Sequence, residues 1–463
     1  MLKNPDGRQR QVKFQIGDGL GANSKQPVNN PSDTQKTHWN CIPRSKPLKV
    51  DEYEDYQELQ KVFQKLDMAD QIILYRAYRL LPSACSALWR TTRKRLDFRT
   101  LHKILDVEGQ NHLLVNMMDH FKYVYFVANK LQDNLNTLER AGVKSLNSVQ
   151  RCELLLMDGE SGKGMAQWPL HALPKLIRNV RRLRVHCNVQ VHFIEHLEHL
   201  ELLVLYGAIS QTALTGVLER CQKLTRLFLK FDCNTLSLKS IDYCPKLRDF
   251  SLCVGLFVRQ RELVIGLTDL RLLELTHCQK DIHVTLECLE IVLSQRPDSV
   301  ELVQLDCSGF GDPNWMKEVG LDRCSQMRGL VLSNCDFYDR EICQLALPRV
   351  QNHIALISCH DIKDYQVLDM VRRCPGLHDI YLIDCPQLSW KVLQGIYRIR
   401  KSENLNYPIT VILSQCTELR EVYQKMYSNY WCFKLPYLKI KRIQNDSRPV
   451  ENIQVFFNNK NLE

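Results

Sequence analysis

Two stretches of this chain share one grammar. Residues 374–385 read CPGLHDIYLIDC and residues 324–335 read CSQMRGLVLSNC, each with a cysteine at both ends and apolar side chains between them at spacings of three and two. The apolar slots are Leu377, Ile380 and Leu382 in the first, and Met327, Leu330 and Leu332 in the second. The last two members of each triplet differ by two positions, so on an extended strand they share one side while the residue between them points away. A strand this short has an apolar edge that nothing in its own segment can cover.

Sliding the frame along the chain finds further triplets at Phe121/Val124/Phe126, Val149/Cys152/Leu154, Val180/Leu183/Val185, Leu200/Leu203/Leu205 and Leu224/Leu227/Leu229. Others follow at Leu247/Phe250/Leu252, Leu270/Leu273/Leu275 and Val300/Val303/Leu305, with weaker copies at Ile354/Leu356 and Val411/Leu413. Successive central positions from Val124 to Val411 are 28, 31, 20, 24, 23, 23, 30, 27, 24, 26 and 31 residues apart. A leucine-rich repeat of strand, turn and helical return has a period of about 20–29 residues. The chain resembles such an array. The expected fold class is therefore α/β, a leucine-rich-repeat solenoid with a curved parallel sheet, a helical outer face, and function on the concave strand face. Neighbouring units must stack to bury the apolar edges.

Composition narrows this little further. At 463 residues, 44% hydrophobic and 25% charged, the chain has the make-up of an ordinary globular protein. A net charge of +10 is modest for that length and points weakly at nucleic acid. The 19 cysteines are odd in number and follow no signal-like segment, and no apolar run is long enough for a transmembrane helix. The expectation is a cytoplasmic or nuclear protein with reduced thiols.

In chain order, residues 1–50 are expected as a disordered polar tail and 51–98 as a small helical unit. The repeats should span 99–416, beginning with a helix over 99–120. A C-terminal cap and tail fill 417–463, with a closing strand or hairpin among Trp431, Phe433, Leu435, Leu438 and Ile440. The Gly/Pro-rich insertions at 159–169 and 309–315 should bulge as surface loops. In the helical unit, Leu59, Phe63 and Leu66 share one face, Asp67 and Asp70 make an L-D-x-x-D turn, and Trp89 follows. This pattern is similar to the F-box, and an F-box followed by cysteine-containing leucine-rich repeats is a recurrent family architecture. The resemblance implies that Leu59, Phe63, Leu66, Asp70 and Trp89 bind a Skp-type adaptor of a cullin-RING ubiquitin ligase, with those side chains either adaptor-facing or in the core. The same periodicity also suits a helical cap on the first repeat, which such arrays need.

Candidate chemistry is sparse. Cys278, Cys335, Cys359, Cys385 and Cys416 each fall three residues after the last apolar slot of a unit, which stacks them in one inward column where a thiol packs as a small hydrophobe. His192, His196 and His199 lack the H-E-x-x-H spacing and a nameable further ligand, so no metal or cofactor is expected. No phosphate-binding loop, dinucleotide fingerprint or nucleophile elbow is present, and an enzyme is not expected.

What remains is the strand face opposite the apolar pairs. Its predicted partner-binding residues are Arg184, Tyr206, Arg226, Phe228, Lys230, Asp249, Glu274, Gln304 and Tyr381, joined by Arg182, His186, Ser251, Asp306 and His353. Aromatics with both charge signs suit a protein partner. Arg90, Arg93, Lys94, Arg95 and Arg99 raise nucleic acid as a weaker alternative. Combined with the resemblance, the expected function is the substrate-recognition subunit of a cullin-RING ligase; the other reading is a repeat scaffold that recruits no ligase.

Overall fold

The computed structural model describes residues 94–442 with breaks at 157–167, 189–190, 277–281, 312–313, 339–348, 404–406, 417–431 and 436–437, together with the short pieces 65–66, 70–73 and 89–90. All of the described residues belong to the second of the chain's two units, Tyr56–Glu463. The predicted tail at 1–50 lies outside the described residues, as do Leu59, Phe63, Asp67, Cys278 and most of the 159–169 insertion.

Among the described residues, the second unit is built on one sheet of 15 strands. It starts with β1 (Arg95–Asp97), β2 (Tyr123–Val127), β3 (Arg151–Leu155), β4 (Arg182–Val185) and β5 (Leu202–Leu205). The middle holds β6 (Arg226–Leu229), β7 (Asp249–Cys253), β8 (Leu272–Thr276), β9 (Leu302–Asp306) and β10 (Gly329–Ser333). Then follow β11 (His353–Ile357), β12 (Asp379–Ile383), β13 (Ile409–Ser414), β14 (Cys432–Leu435) and β15 (Leu438–Arg442). Strands β1 to β13 lie in sequence order, then β15 pairs parallel with β13 and β14 turns back antiparallel as the edge. All other pairings are parallel, as connections that always return by the same side require. The last two apolar residues of each predicted unit sit on one of β2 to β13, and the first member of each full triplet lies two residues before its strand.

The segments between strands return by helices of both types. The 20-residue step from Leu183 to Leu203 is crossed by a 3-10 helix, Val191–His196, which rises about 2.0 Å per residue. The steps before β9 and β13 use the α-helices Ile282–Ser294 and Lys391–Ser402, at about 1.5 Å per residue. Their apolar faces and the strand pairs form one core that takes in Ile72 and Trp89 and runs on from Leu96 to Ile440.

Each turn out of the last strands has the same construction. Asn334, Ser358, Asp384 and Gln415 adopt left-handed φ of 52°, 51°, 52° and 58°, and each directly precedes a cysteine of the column. The backbone N–H of Ser358 donates to Ile383 O at 2.8 Å and that of Asp384 to Ser414 O at 2.9 Å, tying each turn to the next coil. The reversal swings the thiols inward: Cys359 Sγ lies 3.7 Å from Leu332 O, Cys385 Sγ 3.6 Å from Leu356 O and Cys416 Sγ 3.4 Å from Leu382 O, each on the coil before. Between the last units, the buried Arg400 donates to Pro375 O at 2.8 Å and Leu377 O at 3.0 Å.

Three local expectations change. The sheet begins at β1, upstream of the first triplet, because a three-residue strand with one inward apolar residue, Leu96, has no triplet to detect. The helix expected over 99–120 is two, Phe98–Ile104 and Val107–Met117, since the Asp106 side chain accepts from Gly109 N at 2.8 Å and starts the second. The 309–315 insertion does not simply bulge. Its left-handed Gly309 (φ 83°) and Gly311 (φ 67°) fold it back so that Phe310 and Trp315 are buried edge to face, centroids 5.0 Å apart.

Tight contact between coils makes one glycine indispensable. A Cβ on Gly207 would fall 2.6 Å from the Cys187 carbonyl oxygen, whereas one on Gly266 meets nothing within 4 Å. Gly207→Ala is expected to lower stability by about 2 kcal/mol, and Gly266→Ala to leave it within about 1 kcal/mol of wild type; urea unfolding of the two variants side by side checks the contrast.

Candidate functional site

Helices cover one face of the sheet, and the predicted binding residues all fall on the other. Register places them in rows. Asp97, Tyr125, Glu153, Arg184, Val204 and Phe228 occupy matching positions on β1 to β6, and Ser251, Glu274, Gln304, Val331, Ala355 and Tyr381 continue that row to β12. A second row holds Tyr123, Arg151, Arg182, Leu202, Arg226 and Asp249. Adjacent members are about 4.8 Å apart, so their side chains touch.

Chemistry changes along this face. At β1 to β4 it is charged and aromatic: the Arg95 guanidinium lies 3.8 Å from the Tyr125 ring centre, Arg99 lies 5.1 Å from it, and Arg184 pairs with Glu153 at 3.6 Å. His186 stacks on Tyr206 with centroids 4.3 Å apart. Burial raises the Glu153 carboxyl above its ordinary range, opposed by Arg184 and Arg95. At β5 and β6, Leu202, Val204 and Phe228 form a small apolar cluster. Toward the middle, Arg226 pairs with Asp249 at 3.3 Å and the Lys230 ammonium with the Glu274 carboxylate. At β10 to β13 the face is aliphatic, with Val331, Ala355, Ile357, Tyr381, Ile383 and Ile412 in a second cluster.

The sequence-derived residues are thus on one face, but they are not uniformly open. Arg184, Tyr206, Arg226 and Asp249 are half-buried, whereas Phe228 is 3%, Glu274 2% and Tyr381 1% exposed, and Gln304 is also buried. Rows of large side chains close over one another, which strand alternation alone does not reveal. None of His186, Tyr206, Lys230, Glu274, Gln304, His353 or Tyr381 lacks a polar, charged or ring partner. Tyr123, Tyr125, Arg151 and Glu153 belong to the same face and were missed, although they flank or separate the apolar slots of β2 and β3 by the rule that found the others.

Of the adaptor-facing set, Leu59 and Phe63 lie outside the described residues. Leu66 packs against the main core, Asp70 is exposed, and Trp89 is fully buried with its indole N–H donating to Gln71 Oε1 at 2.9 Å. Gln71 in turn donates to Leu66 O at 3.0 Å. Trp89 therefore belongs to the core. The basic run before β2 is partly neutralised, since Asp97 binds Arg95 at 3.0 Å and Arg99 at 2.7 Å.

The other candidates separate. His192 and His196 line a groove with Trp168, His171, Pro174 and Phe193 on the helical side, while His199 sits 2.9 Å from the Lys223 ammonium. Among the described residues no three His, Cys, Asp or Glu side chains are grouped to hold a metal. Every cysteine whose side chain is described is buried and unbridged, and burial pushes the Cys187 thiol up to about 12.

A ladder of parallel strands with helical returns, stacked in sequence order, is a leucine-rich-repeat-like solenoid. No family model matches the chain, and no curated protein does. Among solved structures it is similar to a chain of the LRIM1/APL1C complex at 11% identity, with a TM-score of 0.22, over 62% of this chain and 64% of that one. The chain thus spans less than two thirds of that neighbour. Among the described residues no helix is long and apolar enough to cross a membrane.

The buried Lys230–Glu274 pair holds the middle of the face. Glu274→Ala is expected to cost about 3 kcal/mol by removing the carboxylate beside a buried ammonium, and the double change Lys230→Met, Glu274→Leu to regain most of it; urea unfolding of both variants checks this.

Proposed function

We propose that this chain is a protein-interaction scaffold whose partner docks on the sheet face left uncovered by the helices. One observation carries the reading: a continuous run of strands β1 to β13 has one face sealed into the core, while the other presents half-buried arginines, tyrosines and carboxylates at its N-terminal third. Such a surface supplies aromatic anchors and charge selectivity over several strands, which suits a folded or extended protein segment. The chain works in this reading by binding and performs no bond chemistry of its own, in the cytoplasm or nucleus where its buried thiols stay reduced.

The resemblance to F-box proteins supports a more specific version, in which the N-terminal helices bind a Skp-type adaptor and the repeats present a substrate to a cullin-RING ligase. The burial of Trp89 and the packing of Leu66 leave Phe63 and Asp70 as the positions to test. Co-purification of residues 50–463 with the adaptor is expected to be lost in Phe63→Asp, Asp70→Lys at unchanged melting temperature. An adaptor that fails to bind the folded wild type removes the ligase version and leaves the scaffold. For the scaffold itself, a partner captured by wild type should be lost from Arg184→Glu, Tyr206→Ala and kept by Lys175→Glu on the helical side; equal capture by both variants would sink it.

A further inference from the structure

On the open face, cations are matched by carboxylates almost everywhere. Arg95 has Asp97 at 3.0 Å, Arg184 has Glu153 at 3.6 Å and Arg226 has Asp249 at 3.3 Å. Two arginines break the pattern. Arg151 and Arg182 are direct register partners on β3 and β4, and among the described residues neither has a carboxylate within 4.0 Å. Glu201, whose charge reaches Arg182, is itself bonded to Arg181 at 3.2 Å.

Like charges set directly opposite on neighbouring strands destabilise a sheet. Both side chains are half-buried, so solvent screens them incompletely. Burial, then Arg151, then Arg226 push the Arg182 guanidinium down to about 10, which still leaves it charged at neutral pH. Among the described residues Arg151 is steadied by the Tyr123 ring alone, 4.9 Å from its guanidinium carbon, and Tyr123 is the next residue in the same row. The fold thus holds two unmatched cations beside a phenol, at a cost that packing does not explain.

We propose that Arg151 and Arg182, flanked by Tyr123, form a docking site for a phosphorylated side chain of the protein partner. The proposal rests on the reading of this face as a protein-binding surface and names the chemistry it selects. Each guanidinium offers five N–H donors in a planar fork. A phosphoryl group brings close to two negative charges and three acceptor oxygens, enough to satisfy both forks, whereas one carboxylate brings a single charge. A nucleic-acid backbone fits less well, because Asp97, Glu153 and Asp249 lie on the same face around the pair and would repel the phosphates on either side. A single phosphorylated side chain meets the pair alone.

The test is fluorescence anisotropy on the full chain with short peptide mixtures carrying a fixed central phosphoserine or phosphotyrosine and randomised flanks. Their unphosphorylated counterparts, inorganic phosphate and a single-stranded oligonucleotide are run alongside. A phosphopeptide mixture should bind about tenfold tighter than its counterpart, and Arg151→Gln or Arg182→Gln should each remove about that factor. Arg181→Gln, an exposed neighbour paired with Glu201, should bind as wild type. Because each Gln change relieves a like-charge contact, both variants should melt at or above the wild-type temperature. Equal binding of phosphorylated and plain peptides, undiminished binding by the Gln variants, or a marked fall in their melting temperature overturns the proposal. So does tighter oligonucleotide binding through the same pair, which assigns it to nucleic acid, or displacement by inorganic phosphate at peptide-like concentrations, which assigns it to a free anion. The titration needs neither adaptor nor identified partner, so its failure leaves the pull-down results standing, and theirs leaves it standing.

Discussion

Each strand from β2 to β13 offers two apolar side chains to the helical side, and these meet the corresponding residues on the strands before and after. Leu203 and Leu205 lie in register with Leu183 and Val185 on one side and with Leu227 and Leu229 on the other. All six are fully or almost fully buried. Burying a side chain of this size contributes about 1.5–3 kcal/mol, and no unit obtains it alone. Stability is therefore a sum over neighbouring coils, and each end needs a cap. At the C-terminal end the β14–β15 hairpin meets that need, with Leu438 and Ile440 in the main core.

The turn column shows how the stacking is kept in step. A left-handed residue closes each of strands β10 to β13; Asn334, Ser358 and Asp384 are bonded to the next coil, while Cys359, Cys385 and Cys416 are buried beneath the coil before. A thiol suits that slot because it is small, apolar and able to donate weakly to a carbonyl. Burial raises the Cys359 thiol, so it stays protonated and inert as a nucleophile. The described cysteines at this place fill a small buried slot between coils.

The uncovered face obeys a different logic at its two ends. Toward β10 to β13 its side chains are aliphatic and closed, and toward β1 to β4 they are charged, aromatic and partly open. Rigid strands hold each of these side chains in a fixed row, which gives a binding surface its order before any partner arrives. Local pairs such as Arg184–Glu153 neutralise most of the charge, and the exceptions at Arg151 and Arg182 stand out because the rest is so consistently matched.

The sequence by itself determined the strand of every triplet from Val124 to Val411, the parallel order of those strands and the side of the sheet on which Arg184, Tyr206 and Arg226 lie. Those properties follow from apolar spacing within a segment of a dozen residues, which is local chemistry and can be read directly. Only the tertiary structure decided that β1 precedes the first triplet, that Phe310 and Trp315 anchor an apparent loop, that Trp89 is core, and that Phe228, Glu274 and Tyr381 are closed off. It also decided which arginines have carboxylates. These outcomes depend on register between strands whose central residues are 20 to 31 positions apart in the chain. A pattern inside one repeat cannot say which side chain of the next repeat will stand beside it.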